Sequence, residues 1–312
     1  MSRRLGLKIF ATLQLPPKDR FDRPSNVSGA FQFASVVSMR CLGIDFSGNF
    51  RMWSPGCGTS NVWIAETEGS DRRLKLVNLR RVQQLDGDCA PFTRLAQYLR
   101  ETDFDVAAID APFSIPLEHL HSRPHRDLLE LVANMELSGG RPFPSAREFV
   151  DRVFEGLSPA TRKPLRRTEE YWTPLDLNVR STLWAGPRGG AAMTVACLKL
   201  LHEANCPIWP WERSGRRLLV EAFPAAQLRH WSLPHQAYNR NTEKELAVRR
   251  SLVLALSERI DLGEFTEKLQ QSADALDAVV CAFAANAVGA GHTLSYAEDA
   301  ARAEGLIAVA SV

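Results

Sequence analysis

The chain has 312 residues, 45% of them hydrophobic, with 38 Lys+Arg against 36 Asp+Glu. That size allows one large folded domain or two small ones, and the near-even charge excludes a protein that grips nucleic acid by global basicity, so any such contact needs a local basic surface. The six cysteines (Cys41, Cys57, Cys89, Cys197, Cys206, Cys281) form no C-x-x-C pair and no Cys/His cluster at zinc spacing, and no run approaches a membrane helix of ~18 uninterrupted apolar residues; reduced thiols in a soluble, cytoplasmic chain are expected.

Residues 1–38 carry Arg3, Arg4, Lys8, Lys18 and Arg20 with several Pro and Ser, and show no apolar period beyond "LGLKIFATLQL". The apolar centre is too short for a secretory signal; a disordered extension or a start assigned too early is expected, and a chain beginning at Met39 should fold. From Met39 on, three apolar segments follow closely: "CLGIDF", "NVWIAETEG" at 61–69 and "LKLVNLRRV" at 74–82, which predict a three-stranded meander. "CAPFTRLAQYLRET" at 89–102 sets Phe92, Leu95, Ala96 and Leu99 on one helical face. "FDVAAIDAPF" at 104–113 returns as a strand apolar on both faces, as in a central position.

The order so far is β-β-β-α-β. Residues 114–205 then read as an Arg- and Pro-rich helical insertion that ends in "GPRGGAAMTVACLKLLHEA". "RRLLVEAFP" at 216–224 is the last clear strand, and helices are predicted at about 225–231, 242–259 and 271–287. An α/β fold with a mixed sheet over 39–312, carrying the insertion, is expected.

Four carboxylates share an unusual placement. Asp45, Asp110 and Glu221 each fall at the end of a strand, and Asp277 interrupts the apolar helix "DALDAVVCAFAA". Each alone has a plain structural role available: a turn former, a helix N-cap or a solvated rim residue. Together they can converge, because neighbouring parallel strands end side by side. Carboxylates crowded into a poorly solvated cleft repel, and a divalent cation relieves them, so Mg²⁺ or Mn²⁺ is the expected cofactor. At 100° per residue, Asp277 lies about 60° and Asp274 about 120° from Val280, which puts Asp277 at the border of the packed face and Asp274 further out, both on one side of the helix.

That order with those residues resembles the RNase H-like fold, in which strands one and four carry metal-binding carboxylates and a late helix supplies another. The helix also looks like the D-x-x-D-A helix of Holliday-junction resolvases of that superfamily. The nearest resemblance is to a family of predicted RNase H-like nucleases known as a domain of unknown function. Its motifs stand here as "GIDFSG", "AIDAPFSIP", "RRTEEYW" at 166–172, "VEAFPA" at 220–225 and "DALDAV" at 274–279, over about 40–312. The resemblance implies a metal-dependent nuclease with Asp45, Asp110, Glu221 and Asp277 catalytic, and ions held by Asp45, Asp110, Asp277 and Asp274. Glu169 stands where many relatives have aspartate, and Arg167 is its expected structural ion-pair partner.

A phosphodiester substrate also needs cations. "RKPLRRT" gathers Arg162, Lys163, Arg166 and Arg167, and "GPRGG" sets Arg188 with free amides at a helix start, so Arg166, Arg167 and Arg188 are the candidate nucleic-acid contacts. Trp209, Trp211 and Trp231, near Arg213, Arg216 and Arg217, could stack bases but suit packing better. His119, His121 and His125 fit no metal spacing and are expected at the surface. The sequence lacks a P-loop, H-E-x-x-H, G-x-S-x-G and a strand-borne G-x-G-x-x-G. Two rivals stay open. One is a sugar kinase or actin-like phosphotransferase, although Asp45-Phe46-Ser47-Gly48 is a residue too long for its D-x-G turn. The other is a non-catalytic module that binds nucleic acid or a partner.

Overall fold

The computed structural model describes residues 38–70, 73–121, 123–155, 163–213 and 215–311. The expected extension lies outside them apart from Ser38, as does Arg162. Five strands stand where the apolar runs put them: β1 (Met39–Asp45), β2 (Trp63–Ser70), β3 (Arg73–Arg81), β4 (Val106–Asp110) and β5 (Leu218–Ala222). Two more, β6 (Ile260–Asp261) and β7 (Ile307–Ala308), are edge strands of two residues, too short for any period to announce.

Among the described residues these seven strands form one mixed sheet in the order β6-β3-β2-β1-β4-β5-β7. β1, β2 and β3 are an antiparallel meander; β4 lies parallel to β1, β5 to β4 and β7 to β5. β1 is central and covered on both sides, which is why Cys41–Asp45 are all buried. Leu42 and Ile44 point to one face with Ile109 and Leu219, while Cys41 points to the other with Val106, Ala108 and Val220.

The first face is covered by α1 (Pro91–Glu101) and by helices of the 114–205 segment, α2 (Leu117–Leu120), α3 (His125–Ala133), α4 (Ala146–Val153) and α6 (Ala191–Ala204), while α5 (Arg167–Trp172) packs through Trp172 with Tyr296, Leu306 and Ile307. Here α6 is no appendage. It packs on α1, α3 and α4, and Val195, Cys197, Leu198 and Leu200 are wholly buried there. The second face carries α7 (Pro224–His230), α8 (Glu243–Ser257), α9 (Thr266–Gln271) and α10 (Ala273–Ala290), before α11 (Glu298–Glu304) leads into β7.

α10 starts at Ser272, whose hydroxyl accepts from the Ala275 N–H at 3.2 Å, and stops at Gly291 with φ 75°. At 18 residues and a mean hydropathy of 1.4 it is the one helix, among the described residues, long and apolar enough to cross a membrane; 72% of it is buried within the fold. It lies across β1, β2 and β4 as their central cover. All six cysteines are reduced, with no disulfide among them.

Candidate functional site

Asp45 and Asp110 are register partners at the carboxyl ends of β1 and β4. Side chains alternate along a strand, so paired residues of parallel neighbours point the same way, here toward α10. The helix comes unusually close. A Cβ on Gly43 would lie 2.0 Å from the Ala278 carbonyl oxygen and 2.4 Å from the Ala282 nitrogen, so a glycine two residues before Asp45 is what lets α10, with Asp274 and Asp277 in its first turns, rest directly on β1. Gly48 does the same on the other side, where a Cβ would meet Ala192 C and Met193 N at 2.5 Å in α6. Between them, the Ser47 carbonyl accepts from Trp53 Nε1 at 2.9 Å. The stretch "CLGIDFSG" is thus clamped between two helices. Gly43→Ala is expected to cost about 1–3 kcal/mol or more by overpacking backbone against backbone, measured by urea unfolding; a loss below about 0.5 kcal/mol would mean that α10 shifts freely.

The electrostatics of this corner are repulsive. Burial, then Asp277, Asp110 and Asp274, push the Asp45 carboxyl well above the usual range. Asp277 is pushed up by burial and by Asp110, with the Tyr238 hydroxyl opposing. Burial and Glu221 raise Asp110 to about 7, against Arg180. Asp274 is raised by burial and eased by Arg249 and Arg81. Among the described residues no Lys or Arg stands within ion-pair distance of any of the four.

A hard cation suits this all-oxygen donor set. No three His, Cys, Asp or Glu side chains among the described residues are gathered tightly enough to enclose a metal. Asp45 and Asp110 are the pair the register joins, with Asp277 across from them on α10. Mg²⁺ is commonly held by one or two carboxylates, with waters and substrate oxygens completing its shell, and a two-carboxylate edge fits that requirement.

Glu221 takes a different position. Its register partner is Ile109, not Asp110, so it points with Leu219 to the opposite face, although its charge still reaches Asp110. Both its oxygens are taken by Arg166, through Nη1 to Oε2 at 2.7 Å and Nη2 to Oε1 at 2.5 Å, and the Phe113 N–H donates to Oε2 at 3.0 Å. The same guanidinium holds Glu169 through Nε and Nη2 at 3.1 and 3.0 Å. The partner of Glu169 is therefore Arg166, where the sequence reading expected Arg167. Arg167 is exposed and pairs with Glu170 at 3.0 Å. Arg166, expected to meet substrate, is fully buried and committed to the protein's own carboxylates.

These groups border a cleft of about 570 Å³. Asp45, Asp110, Asp274 and Asp277 line it on one side, and residues 177–180, 189–190 and 235–239 wall it. Arg188 is exposed at φ 57° in the turn whose Gly189 and Gly190 line the cleft. Among the lining residues that escaped the sequence reading are Arg180, exposed beside Asp110, and Tyr238, bonded to Asp277. Both sit in loops without period, where no sequence signal marks them.

The aromatic residues pack. Trp211 stacks on His125 with centroids 3.6 Å apart, and Trp231 meets Phe283 edge-on and lies under Arg259. His125 is buried, not on the surface as expected; its Nε2 donates to the Phe113 carbonyl at 2.7 Å, and burial lowers its pKa to about 4, so it stays neutral. Of the nearby cations, Arg216 pairs with Asp103, and Arg217 donates to the Arg100 carbonyl.

Fold and site together define an α/β protein in which two adjacent parallel strands of a mixed sheet end in paired aspartates beneath an acidic core helix. The chain belongs to the family described as Protein of unknown function (DUF429), whose model matches residues 43–302. No curated protein and no solved structure matches it.

Proposed function

We propose that this chain is a metal-dependent phosphodiesterase of the RNase H-like class acting on nucleic acid. The observation that carries the reading is the pairing of Asp45 with Asp110 at the ends of adjacent parallel strands, with Asp277 over them. The β-β-β-α-β order and the motif sequence support the same class. Asp45 and Asp110 would hold Mg²⁺ or Mn²⁺, with Asp277 and Asp274 beside them. Bound there, the cation would polarise a phosphoryl oxygen and acidify a water. Arg180, exposed at the cleft wall, is the side chain suited to a non-bridging phosphate oxygen. Arg166 keeps Glu221 neutralised, so that it adds less repulsion to Asp110.

The test is incubation of the full chain with single-stranded, duplex and branched DNA and RNA in Mg²⁺ or Mn²⁺, with EDTA as control. Metal-dependent cleavage supports the reading. ATP hydrolysis without it favours the kinase-like rival, and salt-sensitive binding without cleavage favours the non-catalytic module.

The cleft adds a preference. A space of about 570 Å³ matches a small-molecule pocket and admits an unpaired segment more readily than an intact duplex. Because unpairing costs a few kcal/mol, single strands or unpaired branches are expected to be cut about tenfold or more faster than blunt duplex of the same sequence. Equal rates would show that the walls 177–180 and 235–239 open for duplex.

A further inference from the structure

The segment between α7 and α8 has no regular apolar pattern, yet it contributes residues 235–239 to the cleft wall. From it the Tyr238 hydroxyl donates to Asp277 Oδ1 at 2.8 Å, and the ring is only 3% exposed, in the same core cluster as Leu252, Val253 and Leu276. A phenol in that setting has little freedom to move off its acceptor.

Its backbone is held from α8. Arg249, wholly buried, donates from Nε and Nη2 to the Tyr238 carbonyl at 2.9 and 2.6 Å, and from Nη2 to the Arg240 carbonyl at 2.8 Å. Its Nη1 reaches the Gln270 carbonyl at 3.2 Å and Asn241 Oδ1 at 3.3 Å. A buried guanidinium is expensive unless its donors are satisfied, and here they are satisfied by this loop and by the end of α9. The arginine therefore locks residues 238–241 in place and, through them, the tyrosine hydroxyl.

We infer that Tyr238 is the positioning residue of the acidic cleft: held by Arg249, its hydroxyl fixes the orientation of the Asp277 carboxylate and leaves Oδ2 as the oxygen offered to a divalent cation. This rests on the reading of the cleft as a cation site. Hydrogen-bond partners behind a metal ligand typically change metal affinity by about 10–100-fold when removed. Tyr238→Phe removes one oxygen and keeps the packed ring, which separates positioning from folding.

The experiment is Mn²⁺ titration of the full-length protein, with free Mn²⁺ read by electron paramagnetic resonance and melting temperature recorded without metal. Wild type is expected to bind Mn²⁺ well above an Asp45→Asn background. Tyr238→Phe should bind about tenfold or more weakly while melting within about 3 °C of wild type. Arg249→Lys keeps the charge but loses the fork; it should weaken Mn²⁺ binding in the wild-type background and add little to Tyr238→Phe, as coupled residues do. Tyr238→Phe that binds Mn²⁺ like wild type overturns the inference and leaves the cation site standing. Wild type that binds no more than Asp45→Asn overturns both.

Discussion

Asp45→Asn is expected to abolish Mn²⁺-dependent cleavage, with a loss of about 10³-fold, the order seen when a group that organises charge in the transition state is removed. The same substitution should leave the metal-free fold at least as stable as wild type, because it deletes a carboxylate whose neighbours repel it. The pH dependence gives this its sign. In the unfolded chain aspartates ionise near pH 4, whereas in the fold burial and neighbouring aspartates raise Asp45 and Asp277, and burial with Glu221 raises Asp110 to about 7. Below the ordinary range both states hold their protons and the cluster costs nothing. As pH climbs from about 4 through 7 the unfolded state releases protons first, so metal-free stability falls. The melting-temperature advantage of Asp45→Asn over wild type should therefore grow from pH 5 to pH 8, and saturating Mn²⁺ should erase it by stabilising only the wild type. A constant difference across that range would show that the carboxylates do not titrate against one another. A variant that keeps full metal-dependent cleavage would remove Asp45 from the centre of the site.

Arg166→Ala is the second large effect, and it falls on stability. Among the described residues Arg166 is the one guanidinium that pairs with Glu169 and Glu221, all three buried. Removing one partner of a buried ion network leaves uncompensated charge, which typically costs about 3–5 kcal/mol. Two carboxylates would be stranded here, so the loss is expected at the upper end, read as a drop in urea midpoint with the slope unchanged. Glu170→Ala provides the contrast: it breaks only the exposed, solvent-screened pair with Arg167, and no measurable shift in midpoint is expected. A loss below about 1 kcal/mol for Arg166→Ala would mean that water enters to solvate both glutamates. The network also ties three distant pieces together, since Glu169 opens α5, Glu221 ends β5 and the Phe113 amide follows β4. Cleavage should therefore fall with stability, through a displaced Asp110.

Much of this was legible in local pattern. Runs of apolar residues with period two or on both faces placed β1 to β5, because a strand buried on one or both sides must show its burial in its own residues. An aspartate closing such a run has no packing purpose, which singled out Asp45 and Asp110, and two acids in an otherwise apolar helix singled out Asp274 and Asp277. Those inferences need only the nearest neighbours along the chain. β6 and β7 were out of reach because two residues carry no period, and α6 read as part of an insertion because a sequence does not say which helix faces the sheet.

The tertiary structure decided what depends on pairing across long separations. Glu221 looked equivalent to Asp110 as an acid at a strand end, but a register offset of one residue turns it to the other face and into the grip of Arg166, 55 positions away. Gly43 reads only as one more residue of the buried β1 run; the approach of Ala278 and Ala282 makes it the contact that seats the acidic helix. Tyr238 reaches Asp277 across 39 positions from a loop without pattern. Composition and periodicity report which residues are buried, and thus the elements and the acids that do not belong in them. Which buried charge meets which partner is set by strand register and helix approach, and these arise from the packing of the whole chain.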